Sequence, residues 1–311
     1  MGVEVTGVGS LPHRDIADAC AFITSTTTVG YIPQLPVRHP SEAMLVQWGD
    51  GLAGCGAAGA YGLLHGAPSG ERDEATISAR MFLESTEDEV IKTQATGPIT
   101  LGLAMLAGGA DSTRLWNDLV PDLIARIDEH IAVIRELAPN AAIVLILDEP
   151  SLTAWGSERG AHADLGLVRE VLGAVMDGVS VRPGIHCCGD PDWGLVAELD
   201  PRWFSWDTAS LGVGFSDRTE QIAAAIARGS RVMWGVTPTM LTPMPSIDAM
   251  LSRYRLAMAR LVVEGAPLGP MHDDAWYTPA CGLAGGTIGT AEHVMELVNK
   301  VVDEIHHADV L

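Results

Sequence analysis

Just past the middle of the chain, Gly184-Ile185-His186-Cys187-Cys188-Gly189 places an imidazole and a thiol one residue apart at the end of an apolar run. In an extended strand alternate side chains share a face, so His186 and Cys188 project together and can reach one metal ion, while Cys187 turns the other way, into a core. That is half of a zinc site. Thr278-Pro279-Ala280-Cys281-Gly282 offers a third ligand in a similar setting, apolar residues followed by Cys and Gly. A lone His-x-Cys carries little weight, because free cysteine is a common core residue. Joined by a distant Cys-Gly, it supplies three ligand types suited to one metal ion, if the two stretches meet in space.

Bringing these stretches together requires a scaffold. Apolar runs and helical patterns alternate along the chain, which predicts a parallel sheet covered by helices. Strands are expected at residues 3–8, 30–35, 90–95, 142–147, up to His186 and Cys188, 203–206, 231–236 and within 274–277. Eight strands with helices between most of them predict a (β/α)8 TIM barrel spanning 1–311 as a single domain, with its site at the carboxyl ends of the strands. His186, Cys188, Asp207, Cys281 and Asp148 all fall at such ends. Residues 142–147 are apolar without alternation and are expected to be buried on both faces. They run into Asp148-Glu149-Pro150, where alternation turns only one carboxylate toward the mouth.

Helices are expected at 121–137, with Ile124, Ile127, Ile131 and Ile134 as a core stripe, at 246–264, and at the C-terminus through Val294, Leu297, Val298, Val301 and Ile305. Asp164 opens another, and Asp217 with Glu220 resembles a capping box. Residues 49–70, rich in Gly and Ala, carry no assignable pattern and suit an insertion over the mouth. His306 and His307, on the last helix, are expected in solvent.

Bulk properties exclude several classes. A formal net charge of −21 on 311 residues repels nucleic acid and anionic lipid. The apolar runs fall short of the roughly 20 residues that span a bilayer, and the N-terminal residues lack the basic region of a signal peptide. A cytoplasmic protein is the expectation. Five cysteines, unevenly spaced, do not make a disulfide framework.

Gly9-Ser10-Leu11-Pro12, Thr96-Gly97-Pro98-Ile99-Thr100, Asp148-Glu149-Pro150, His186-Cys187-Cys188 and Trp276-Tyr277-Thr278-Pro279-Ala280-Cys281-Gly282 occur in the order seen in the catalytic barrel of cobalamin-independent methionine synthase. The chain resembles that family over nearly its whole length, as short islands, without a counterpart of the family's extra N-terminal barrel. The resemblance implies a Zn²⁺ that activates a thiol, held by His186, Cys188, Asp207 and Cys281, and a methyl group transferred to that thiol, homocysteine being the first choice. Asp207 is one methylene shorter than the family's usual Glu, so it either ligates from a closer strand or stands behind the ligands. The same resemblance assigns the amino-acid part of the substrate to the Val8-Gly9-Ser10 backbone and to Asp148. Arg38 falls where the family has a second acidic residue, which would suit a substrate carboxylate or sulfonate.

On the donor side the chain departs from the family. Ala104 replaces a tryptophan that lies against folate, Ala154 replaces an acidic folate contact, and Val236 or Thr237 takes the place of a proton-donating histidine. Methyl-folate needs protonation to leave, so a more reactive donor, such as a methylated corrinoid on a partner protein, is favoured. The general acid is unidentified. Two other functions suit the same fold: decarboxylation of a porphyrinogen, which needs no metal, and a non-catalytic zinc- or thiol-binding barrel.

Overall fold

The computed structural model describes residues 3–59, 62–155, 164–211, 218–240 and 243–307. Among these residues ten strands occur in chain order: β1 (Glu4–Val5), β2 (Gly30–Tyr31), β3 (Cys55–Ala57), β4 (Leu63–His65), β5 (Val90–Thr96), β6 (Ala142–Asp148), β7 (Gly184–Cys187), β8 (Trp203–Asp207), β9 (Arg231–Thr237) and β10 (Trp276–Pro279). Eight of them form one parallel sheet in the order β1-β10-β9-β8-β7-β6-β5-β2. Its two edges meet: Thr28 and Val29 donate their N–H groups to the Val5 carbonyl, and Ser10 bridges Gln34 in parallel register. The result is a (β/α)8 barrel.

Two apolar layers follow from strand alternation. Outward-facing residues such as Ile91, Leu145, Leu147, Ile185, Cys187 and Phe204 pack against the helix ring. Inward-facing Val29, Ile146, Trp203, Met233 and Trp276 form a separate plug, with the Trp203 and Trp276 rings 4.6 Å apart. The plug closes the interior below the strand ends, so polar residues inside the barrel are confined to the carboxyl-terminal side.

The helix expected from Pro121 starts earlier, at Leu115, and runs to Leu137. Leu115, Leu119 and Leu123 continue the ladder of Ile127, Ile131 and Ile134, and this buried stripe outweighs the roughly 3 kcal/mol cost of a proline in the helix interior. Asp164 caps its helix as expected, accepting from the N–H groups of Gly166 and Leu167. Asp217 lies outside the described residues. The unassigned 49–70 stretch holds the β3–β4 antiparallel hairpin, packed against the helices Met44–Gly49 and Pro98–Ala107. No described helix is long and apolar enough to cross a membrane.

Candidate metal centre

Register carries the candidate residues to one level. Asp148 on β6 pairs with His186 on β7, which pairs with Ser205 on β8, and Asp207 pairs with Gly235 on β9. Among the described residues, the ligand atoms of His186, Cys188 and Cys281 lie within 4.8 Å of one another, a grouping able to hold a metal ion. His186 is 4 % exposed, and its Nδ1 is 2.9 Å from Ser205 Oγ. Its Nε2 is buried without a hydrogen-bond partner. A buried lone pair left open beside two sulfurs fits a metal ligand, since buried polar atoms are otherwise almost always bonded.

The two thiols share their proton unequally. Cys281 donates to Cys188, and with the His186 imidazole alongside, this holds the Cys188 thiol below its usual range. The same contact, with burial, drives Cys281 upward. One thiolate is thus already favoured before any cation arrives, and a divalent cation would favour the second. Cys187 faces the outer core as expected, where burial pushes its thiol up to about 12.

The first βα loop adjoins this cluster. Leu283 N–H donates to Ser10 O at 2.8 Å, and a Cβ on Gly282 would sit 2.0 Å from Ser10 Oγ, so only glycine lets the Cys281 loop approach Ser10 so closely. Gly9, at φ 153°, likewise has the Gln94 amide where a Cβ would be. Asp207 is buried at the end of β8, outside the three-residue set.

The adjacent carboxylates divide their roles as alternation requires. Glu149 is fully buried against the start of the helix Pro98–Ala107, accepting from Ile99 N and Thr100 N at 2.8 Å and from Thr100 Oγ1 at 2.6 Å. These are the orphan donors of a helix N-terminus, which favours a carboxylate. Asp148 keeps part of its surface open, yet its Oδ1 is buried and unpartnered. Burial pushes its carboxyl up to about 6, against the pull of His186 and Lys92.

Lys92, Ser205 and Gln94 are site neighbours that the sequence reading passed over. Lys92 is 1 % exposed and donates to the Val8 carbonyl at 2.6 Å, and burial pushes its ammonium down to about 8. The signal was present: Lys92 and Gln94 alternate with Ile91, Thr93 and Ala95 in a buried strand, so they must face the barrel interior. Arg38 is committed elsewhere. Its guanidinium bonds Glu42 Oε1 at 2.5 Å, Glu74 Oε2 at 3.1 Å and the Glu74 carbonyl at 2.8 Å.

Of the two residues at the histidine position, Val236 belongs to the outer core and Thr237 holds a buried, unpartnered hydroxyl at the end of β9. His306 is not in solvent as expected: its ring lies 4.7 Å from that of His272, and its Nε2 is 3.2 Å from the Tyr277 hydroxyl.

No protein-family model matches the chain, and no curated protein matches it in sequence. Solved structures do match its fold. A Listeria monocytogenes protein, provisionally assigned as a vitamin-B12-independent methionine synthase, superposes with a TM-score of 0.61 at 15% identity, covering 94% of this chain and 86% of that one. A methyltransferase from Methanosarcina mazei gives 0.54 at 13% identity, covering 98% and 94%. A B12-independent methionine synthase from Shewanella sp. W3-18-1, in complex with selenomethionine, gives 0.51 at 14% identity, covering 78% and 70%. At these identities the likeness is one of fold.

Proposed function

We propose that the protein is a zinc-dependent methyltransferase that moves a methyl group onto the sulfur of a small thiol, homocysteine first. The observation that carries the reading is the buried, unpartnered Nε2 of His186 beside the sulfurs of Cys188 and Cys281. Those three would hold the ion, with Asp207 as the acidic member of the site, either ligating or behind the ligands. Zinc supplies one thing when bound: a coordinated thiol loses its proton near neutral pH.

The chain's own residues do the rest. Ser205 fixes the His186 ring through Nδ1 and leaves Nε2 free to ligate. Asp148 Oδ1, unpartnered, is an acceptor for the ammonium of an amino-acid thiol. Lys92 anchors the Val8 carbonyl, and Leu283 anchors that of Ser10, so the loop between them presents its backbone in a fixed place. Thr237 offers a neutral hydroxyl where the resemblance expects an acid. A donor that leaves without protonation, such as a methylated corrinoid on a partner protein, therefore suits the site better than methyl-folate.

The test is elemental analysis of protein purified without added zinc, followed by thiol titration with homocysteine. About one zinc per chain, released in Cys281→Ser, and proton release when homocysteine binds are the expected results. A folded protein without zinc, with all its cysteines reactive, would overturn the reading.

A further inference from the structure

On the outer side of the barrel wall, between β2, β5 and the helices Arg72–Ser85 and Leu115–Leu137, lies a second cavity of about 280 Å³. It is separate from the metal-ligand cluster, and its volume is near the lower end of the ~300–1,000 Å³ typical of small-molecule sites. One wall is apolar, from Ile32, Pro33, Ala79 and Val133. Another is aromatic, where the Trp48 and His130 rings meet edge to face at 5.4 Å.

The polar lining is under-used. Arg126 donates through Nη1 to the carbonyls of Trp48 and Asp50, while its Nε is buried without a partner. Gln94 reaches the cavity lining only from the strand itself, since its amide turns inward beside Gly9. His130 binds Thr93 Oγ1 through Nε2, and its other ring nitrogen forms no bond among the described residues. In a chain of net charge −21, three arginines (Arg72, Arg80 and Arg126) face this space against two carboxylates, Asp73 and Glu129. Arg72 and Glu129 already pair at 2.5 Å, which leaves Arg80 at the rim and Arg126 within.

We propose that this cavity is a binding site for a small planar anion, an aromatic or heteroaromatic carboxylate, its charged end at Arg126 and its ring against Trp48 and His130. An arginine beside an apolar wall matches a carboxylate in both charge and planar geometry.

Benzoate serves as the probe, with ligand-observed NMR and isothermal titration on the full chain. The expected result is saturable one-to-one binding that weakens about 10- to 100-fold in Arg126→Met, the range for loss of a charged hydrogen bond. Because Arg126 also holds two backbone carbonyls, Ala79→Phe, which fills the slot, is the independent variant and should abolish binding with the circular dichroism unchanged. Should Ala79→Phe fail to fold, Thr76→Trp at the partly exposed rim closes the same opening. Absence of binding at millimolar benzoate would overturn the proposal. So would binding that survives the blocking variants and is lost in Cys281→Ser, which would place the anion at the barrel mouth.

Discussion

His130 sits in the barrel's outer layer with its Nε2 2.8 Å from Thr93 Oγ1, and burial pushes its imidazole down from 6.5 to about 4. Between those values the unfolded chain binds a proton that the folded chain refuses. Stability therefore rises with pH across this window; the contribution is fully present above pH 6.5 and is lost as pH falls toward 4. The two values differ by about 2.5 units, and at 1.36 kcal/mol per unit the loss is about 3 kcal/mol. His130→Gln removes the titration while leaving an amide to meet Thr93. At pH 7.5 the variant should be less stable than the native protein by about 1 kcal/mol, the net worth of one hydrogen bond plus some packing. Urea unfolding of both proteins from pH 7.5 down to 4 should show that difference shrink and then reverse, the variant becoming the more stable by about 2 kcal/mol. A stability difference that stays constant across the range, or that widens on acidification, would refute the assignment of a neutral buried imidazole.

Three further perturbations test other parts of the molecule. Ser205→Ala removes the partner of His186 Nδ1 and should weaken zinc about 10- to 100-fold in chelator competition, with the fold intact; unchanged affinity would mean that His186 is oriented by packing alone. Glu149→Ala leaves the N–H groups of Ile99 and Thr100 buried without acceptors and should lower the unfolding free energy by about 3 kcal/mol. A loss under about 0.5 kcal/mol would show that water replaces the carboxylate there. Arg38→Met strands the fully buried Glu42 carboxylate and should cost about 3 kcal/mol or more in denaturant unfolding, with metal content unchanged. A stable Arg38→Met protein with altered thiol binding would instead return Arg38 to the substrate.

The barrel was legible because its strands obey one rule repeatedly. Ala142 to Asp148 and Arg231 to Thr237 are apolar runs that end at a polar residue, and the polarity changes where the strand leaves the sheet. Short strands were harder to bound. β1 and β2 hold two residues each in regular pairing, because the chain beyond them closes the barrel through irregular bonds such as Leu11 N to Gln34 O. No periodicity marks such a seam. The Leu115 start of the long helix was hidden by Pro121, whose usual place at a first turn outweighed the quieter Leu115-Leu119-Leu123 ladder.

For the candidate site, the legible part was ligand chemistry, and the illegible part was which charges cancel. His186, Cys188 and Cys281 announce themselves by residue type, and strand alternation shows that only one of Asp148 and Glu149 faces the mouth. Arg38 shows the limit of that reasoning. Its place at a position where the resembled family has an acid made it a substrate contact on paper, yet Glu42 and Glu74, four and thirty-six residues away, take its guanidinium. Lys92 is the converse case, a cation buried against the Val8 carbonyl and within the field of Asp148. The cation inside the barrel is thus Lys92, not Arg38. With Arg38 engaged and Lys92 enclosed, Asp148 Oδ1 stands with His186 Nε2 and the Thr237 hydroxyl among the buried polar atoms without a partner at the strand ends. Under the proposed function, such an acceptor suits a substrate that brings a donor, which an amino-acid ammonium does and a sulfonate does not.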